Sequence, residues 1–325
     1  MASSFTAPVR RRKLSVLALG ILASALILCA SRADVIPAIH SWGGEGDGNG
    51  QFYGPNSIAV GPYGDVYVVD LRPNVYSRIE QFSTEGVFKR VIGKHGGAHG
   101  ELGSPEGIAV DRSSGDFYVA DTGNNRIQKF AHNGHFLRAW GSFGTANGQF
   151  RKPWAIAVGP DHNVYVVDGL NSRVQKFDSD GQHLATWKIL RADGGPGSPT
   201  GIAVDGSNRV YVVNSYEKQI LRFNAHGVLQ SSWRTHGHVS GDAGFPVSIA
   251  ASSLGIVLVA GAHNKHIQIF DGPTGRYEHS FEVSVYHPAK REHEVLTPGT
   301  MAFQNDDTVF IAHYLANRIS KIRIF

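Results

Sequence analysis

The chain has 325 residues, with 31 basic and 27 acidic side chains and a formal net charge of +4. A single cysteine excludes a disulfide scaffold, and 42% hydrophobic against 18% charged residues excludes a disordered polyelectrolyte. Residues 1–33 hold five of the basic side chains and none of the acidic ones, so 26 basic residues face 27 acidic ones beyond them; that near-neutral remainder argues against a nucleic-acid-binding surface.

In chain order, Arg10, Arg11, Arg12 and Lys13 come first, followed by a 17-residue apolar stretch over 14–30 and then Ser31-Arg32-Ala33. This order predicts a secretory signal peptide over 1–33 and an exported protein, periplasmic or extracellular. The alternative is an uncleaved membrane anchor, because 17 apolar residues lie near the lower limit for a span. Cleavage would also remove Cys29, leaving a mature chain with no thiol, which suits an oxidising compartment.

From Pro55 onward the chain repeats. Pro55, Pro105, Pro153, Pro199, Pro246 and Pro298 each precede a short apolar run, at steps of 50, 48, 46, 47 and 52 residues. The copy at 107–140 is the clearest, with apolar runs at 107–111, 116–121, 126–130 and 135–140 fenced by Gly, Asn and Asp. Such runs read as four strands, a to d, joined by tight turns. Ile79/Phe82, Ile127/Phe130, Val174/Phe177, Ile220/Phe223 and Ile267/Phe270 recur on strand c, and Gly134/Trp140, Gly181/Trp187 and Gly227/Trp233 on strand d. Identical phase in successive copies is what stacked sheets need to bury each other, so the aromatics read as inter-sheet core.

The sixth copy ends after strand c. The missing strand d is expected at the other end, around 36–42, because Trp42 to Pro55 matches Trp140 to Pro153 in length and in its Gly-Gln-Phe stretch. Closing the ring in this way removes exposed sheet edges. The prediction is an all-β, six-bladed propeller over 34–325, each blade a four-stranded antiparallel sheet.

The Pro-x-x-Ile-Ala-Val, Val-Tyr-Val-x-Asp and Asn-x-Arg-Ile-Gln-x-Phe stretches, clearest at 105–130 and 153–177, resemble the NHL-repeat family of six-bladed propellers. Copies four to six depart from that pattern, with Asn214, Gly261 and His313 in place of Asp70, Asp121 and Asp168.

Function in a propeller is expected on loops held by the ring around its channel. The irregular loops fall on the face made by the b–c turns and the d–a connections. Blade 1 has three extra residues in its b–c turn, carrying Arg72 and Tyr76, and 282–297 is the longest connection. Asp70, Asp121 and Asp168 end strand b there, either as turn caps or as carboxylates at the channel mouth for a hard cation such as calcium. His236, His238, His263, His266, His287, His293 and His313 map to the same face or its edge. Of these, His263, His266 and His313 are the candidate ligands for zinc. Arg72, Tyr76, Glu106, Asp121 and Asp168 are the candidate ligand-binding residues.

Resemblance to the peptidyl-amidoglycolate lyase propeller would imply a zinc-binding His after each of three strand-a prolines. Here Asn56, Glu106, Trp154, Thr200, Val247 and Gly299 stand after those prolines, so that mechanism does not carry over. A calcium-dependent lactonase-like site would draw on Glu106 and Asn56, and there is no Gly-x-Ser-x-Gly elbow for a serine hydrolase. The reading that follows is an exported, monomeric binding or scaffold propeller for a protein, peptide or glycan partner. A metal-dependent lyase or hydrolase at the channel mouth is the alternative.

Overall fold

Runs such as Val-Tyr-Val-Val have no polar face to offer water, and a strand built from them must be covered on both sides. In the computed structural model they form the second strand of each blade, sandwiched between neighbouring sheets, and Val66, Tyr67, Val68 and Val69 are all fully buried. Each such valine contributes about 1.5–3 kcal/mol by leaving water. The structure describes residues 34–71, 77–235, 245–262, 264–287 and 291–325. The export signal or anchor expected over 1–33 lies outside them, as do Arg72, Tyr76, His236, His238 and His263. Among the described residues no helix is long and apolar enough to cross a membrane.

Six four-stranded antiparallel meanders are arranged as a propeller. Blade 1 comprises Pro55–Val60, Asp65–Asp70, Arg78–Ser83 and Phe88–Ile92, and blade 3 comprises Pro153–Val158, Val164–Asp168, Arg173–Phe177 and His183–Lys188. Strand a lies innermost, and strand d, half exposed, forms the rim.

Two contacts lock neighbouring blades. The strand-b tyrosine reaches the next blade's c–d turn: Tyr67 Oη donates to the carbonyl of His132 at 2.9 Å, and Tyr118 Oη to Ser179 at 3.3 Å. Burial raises the pKa of both phenols above the ordinary value. The strand-d tryptophan packs on the glycine of the same turn. Gly181, at φ +84°, would bring a Cβ to 2.5 Å from the Trp140 indole, which explains why Gly and Trp recur together.

The ring closes through the N-terminus, with one difference from the sequence reading. The strand completing blade 6 is His40–Gly43, antiparallel to Arg318–Arg323 with Trp42 opposite Ile319. The segment around Ile36 belongs to blade 5 instead: Asp34–Pro37 runs parallel to that blade's strand d, with Ile36 opposite Val283. The chain passes between blades at one peptide, since Ala38 N donates to Ser284 O and Ile39 N to Lys321 O, both at 2.8 Å.

The long connection after blade 5 is largely strand rather than loop. Strand d there extends over Arg276–His287, and Glu292–Leu296 returns antiparallel to its outer half as a two-stranded arm. Burial explains the extension, because Val283, Ser284 and Val285 are all covered and exposure begins only at Tyr286.

Candidate functional site

The proline that opens strand a sets which side chains face the axis. Alternation along a strand puts residues two apart on one side. The residue after each proline therefore lines the mouth of the channel, and the one two further on lines its throat. Asn56, Glu106, Trp154, Thr200, Val247 and Gly299 form the mouth ring of a cavity of about 550 Å³. Ile58, Ile108, Ile156, Ile202, Ile249 and Met301 form an apolar ring below, each no more than 6% exposed.

Most polar groups in this layer are spent on neighbouring blades. Asn56 Nδ2 donates to Glu106 O at 3.1 Å, Thr300 Oγ1 to Asn56 O at 2.8 Å and Thr200 Oγ1 to Pro246 O at 3.5 Å, while Ser57 Oγ accepts from Ile108 N at 3.2 Å. Glu106 differs. It is the one carboxylate among the described residues lining the cavity, and its side chain has no hydrogen-bond or ion-pair partner among them. Burial raises its pKa above the ordinary glutamate value, and the Lys152 ammonium pulls in the opposite direction.

Around the mouth, Phe143, Leu170, Leu190, Tyr216 and Leu315 are exposed on b–c turns and d–a connections and Phe245 at the start of a strand, five of the six by more than half. Three of the aromatics carry a cation over the ring: Arg151 on Phe143 at 5.8 Å, Arg191 on Tyr216 at 5.5 Å and Lys218 on Phe245 at 5.2 Å. The opposite mouth is a separate cavity of about 370 Å³. There Arg112 of blade 2 reaches to blade 6, its guanidinium donating to the carbonyls of Phe303 and Gln304.

Asp121 and Asp168, expected at the mouth as turn caps or as cation ligands, are fully buried away from the cavity lining. Asp121 Oδ1 accepts from Gly103 N, and Oδ2 is held by Asn124, Arg126 and Gln128. The Arg126 guanidinium then donates to the carbonyls of Gly97, Ala98 and Glu101, clasping the incoming d–a connection. Asp168 and Arg173 repeat the clasp on Thr145, Ala146 and Gln149. With both carboxylate oxygens of each hydrogen-bonded inside the fold, the two side chains hold the incoming connections, and neither lines the channel.

His313 takes the same position in blade 6. It is fully buried, Nδ1–H donates to Thr297 O at 3.0 Å, and Nε2 accepts from Ser320 Oγ at 2.7 Å. The carbonyl fixes that tautomer, and burial holds the pKa down to about 4. No lone pair remains for zinc, so this side chain does not fit the ligand role expected of it. His266 Nε2 lies 3.4 Å from Glu282, and His293 packs on Tyr286 out on the arm. Among the described residues no group of three His, Cys, Asp or Glu side chains fits a zinc or calcium ion.

Sequence reasoning found Glu106 and Asn56 through the prolines. It passed over Arg126 and Arg173, although the Asn-x-Arg-Ile-Gln stretch at a fixed offset from each Asp was their signal. It also passed over the exposed rim, whose members share no motif.

The family model of the NHL repeat matches residues 102–130 and 150–177, which span strands a, b and c of blades 2 and 3 with the approach to strand a. Two of the six blades match the NHL repeat in sequence. Among solved structures, the propeller is similar to streptogramin B lyase, at 17% identity over 88% of this chain and 87% of that one, TM-score 0.59. It is similar to virginiamycin B lyase from Staphylococcus aureus at 14% identity over 84% and 96% of the two chains, TM-score 0.58. A chain of a nidogen/laminin complex matches at 19% identity over 74% and 82%, TM-score 0.53. At these identities the likeness is one of fold. No curated protein matches the chain in sequence.

Proposed function

We propose that this NHL propeller is an exported binding module that takes a protein or peptide partner on the face made by its b–c turns and d–a connections. The observation that carries this reading is the rim: large apolar side chains exposed in a circle around an open channel, three of them stacked with cations. Aromatic residues and arginine are the side chains enriched where proteins bind one another, because they bury much surface at little entropic cost. Rigid strands hold these loops in place, so little ordering has to be paid on binding. The nidogen/laminin match is consistent with a propeller used in this way. Export rests on Arg10 to Lys13 and the apolar stretch after them.

The test is capture of partners from the native extracellular or periplasmic fraction by immobilised protein, read by mass spectrometry. Phe143→Ser, Tyr216→Ser and Leu315→Ser combined should abolish capture, whereas Tyr63→Ser with Leu254→Ser on the opposite face should not. Identical capture by both variants would refute the assignment of the face. The mass of the native protein reports whether the chain starts at Asp34.

A further inference from the structure

We propose that the channel mouth receives a basic side chain, lysine or arginine, projected by the bound partner, and that Glu106 is its counter-ion. This rests on the binding-face reading and adds the chemistry at its centre. The six mouth positions are equivalent in the fold, and only Glu106 among them is ionisable. The other polar mouth side chains, Asn56 and Thr200, already serve backbone carbonyls of adjacent blades, so the ring itself leaves the carboxylate uncompensated. A carboxylate part-way out of water without a partner is costly, and a cation brought to it recovers that cost.

The surroundings suit a long basic side chain in particular. The Ile58, Ile108, Ile156, Ile202, Ile249 and Met301 ring gives an alkyl stem an apolar wall to lie on. Trp154, the next mouth position after Glu106, lines the same cavity and adds an indole to the site. Among the described residues Glu106 is the one charged side chain lining the recognition-face cavity, whereas the far mouth, about 20 Å away by the length of strand a, carries Asp111, Asp205 and Asp306 beside Arg112. A cation entering from the rim therefore meets Glu106 first. Lys152, exposed beside the mouth, makes no ion pair with Glu106 among the described residues and acts on it only at longer range.

The experiment is titration of the full mature protein with Nα-acetyl-lysine amide and Nα-acetyl-arginine amide. Nα-acetyl-norleucine amide and Nα-acetyl-citrulline amide serve as neutral controls, and spermidine as a free cation. Binding is read from the Trp154 indole N–H resonance, assigned with Trp154→Phe. The indole nitrogens of Trp42, Trp140, Trp187 and Trp233 are buried and act as internal references. The expected result is saturable binding of a basic amide and at least tenfold weaker binding of its neutral isostere. Glu106→Gln should lose at least tenfold in affinity for the basic amide while keeping the wild-type fold by circular dichroism. Equal affinity for basic and neutral amides, full affinity in Glu106→Gln, or no saturable binding would each overturn the proposal. Glu106-dependent binding of spermidine alone would overturn the partner side chain as the source of the cation. None of these results bears on the Phe143, Tyr216 and Leu315 capture test, so the two readings fail separately.

Discussion

Asp121 Oδ2 lies 2.7 Å from Arg126 Nε, and the same guanidinium holds three carbonyls of the connection from blade 1. The carboxylate has no solvent exposure and the arginine little, so the pair exchanges water for a fully satisfied network. Removing one member leaves the other buried and uncompensated. Asp121→Ala should therefore cost about 3–5 kcal/mol of stability, measured by urea denaturation. Arg126→Lys should recover little of the clasp, because an ammonium cannot reach the carboxylate and three carbonyls from a planar fork. A loss below about 1 kcal/mol in Asp121→Ala would show that the clasp is an exposed pair in disguise.

His313 does for blade 6 what Asp121 does for blade 2, with a group that titrates. Folding lowers its pKa from the ordinary value of 6.5 to about 4. The unfolded chain thus takes up the proton first on acidification. The stabilisation is complete above the ordinary histidine range and is lost as pH falls from about 6.5 towards about 4. A shift of that size corresponds to a loss on the order of 3 kcal/mol. Urea midpoints at neutral and mildly acid pH, compared between wild type and His313→Gln, isolate the effect. The variant should be less stable than wild type at neutral pH and should show a shallower pH dependence. Parallel profiles would sink the idea.

The blade count was legible because the prolines recur at 46 to 52 residues and set the phase of every strand a. The same phase identified the mouth ring, since the residue after each proline faces the axis. Capping by Asp121 and Asp168 was legible, but the clasp was only half so: Arg126 and Arg173 lie at a fixed offset in the repeat, whereas the carbonyls they hold belong to glycine-rich connections whose path depends on the fold around them. The N-terminal strand was placed in the right blade at Trp42, but its Ile36 end was not, for a related reason. Pairing of Ile36 with Val283 joins residues far apart in sequence and leaves no local periodicity to read.

Glu106 predicts the opposite pH behaviour to His313. Its folded pKa lies above the ordinary glutamate value, so the folded state binds the proton more tightly than the unfolded chain. Stability is greatest where Glu106 is protonated and falls as pH rises through the window above the ordinary value. Glu106→Gln should therefore melt higher than wild type at about pH 8, with the gain shrinking towards about pH 4. Differential scanning calorimetry over that range gives the comparison. A lower melting temperature for the variant at the alkaline end would mean that the carboxylate already has a partner.

Closure of the ring makes a sharper prediction, because two adjacent N-terminal strands do different work. Truncation to Ile39 removes Asp34–Pro37, its pairing with blade 5 and the partly buried Ile36, and leaves His40–Gly43 in blade 6. That variant should remain monomeric, with a loss of about 1–2 kcal/mol from the apolar surface of Ile36 returned to water. Truncation to Gly44 also removes Trp42, which packs 5.8 Å from Phe82 and 5.9 Å from Phe310 and so bridges blades 1 and 6. Loss of such a tryptophan costs about 3–5 kcal/mol, and the unpaired edge of Arg318–Arg323 becomes a template for another chain. The second variant should therefore aggregate or exchange strands, and a peptide spanning 34–44 added in trans should restore the monomer. Light scattering coupled to size-exclusion chromatography distinguishes the cases. A monomeric second truncation with wild-type melting would show that blade 6 holds together with three strands, and that His40–Gly43 does not close the ring.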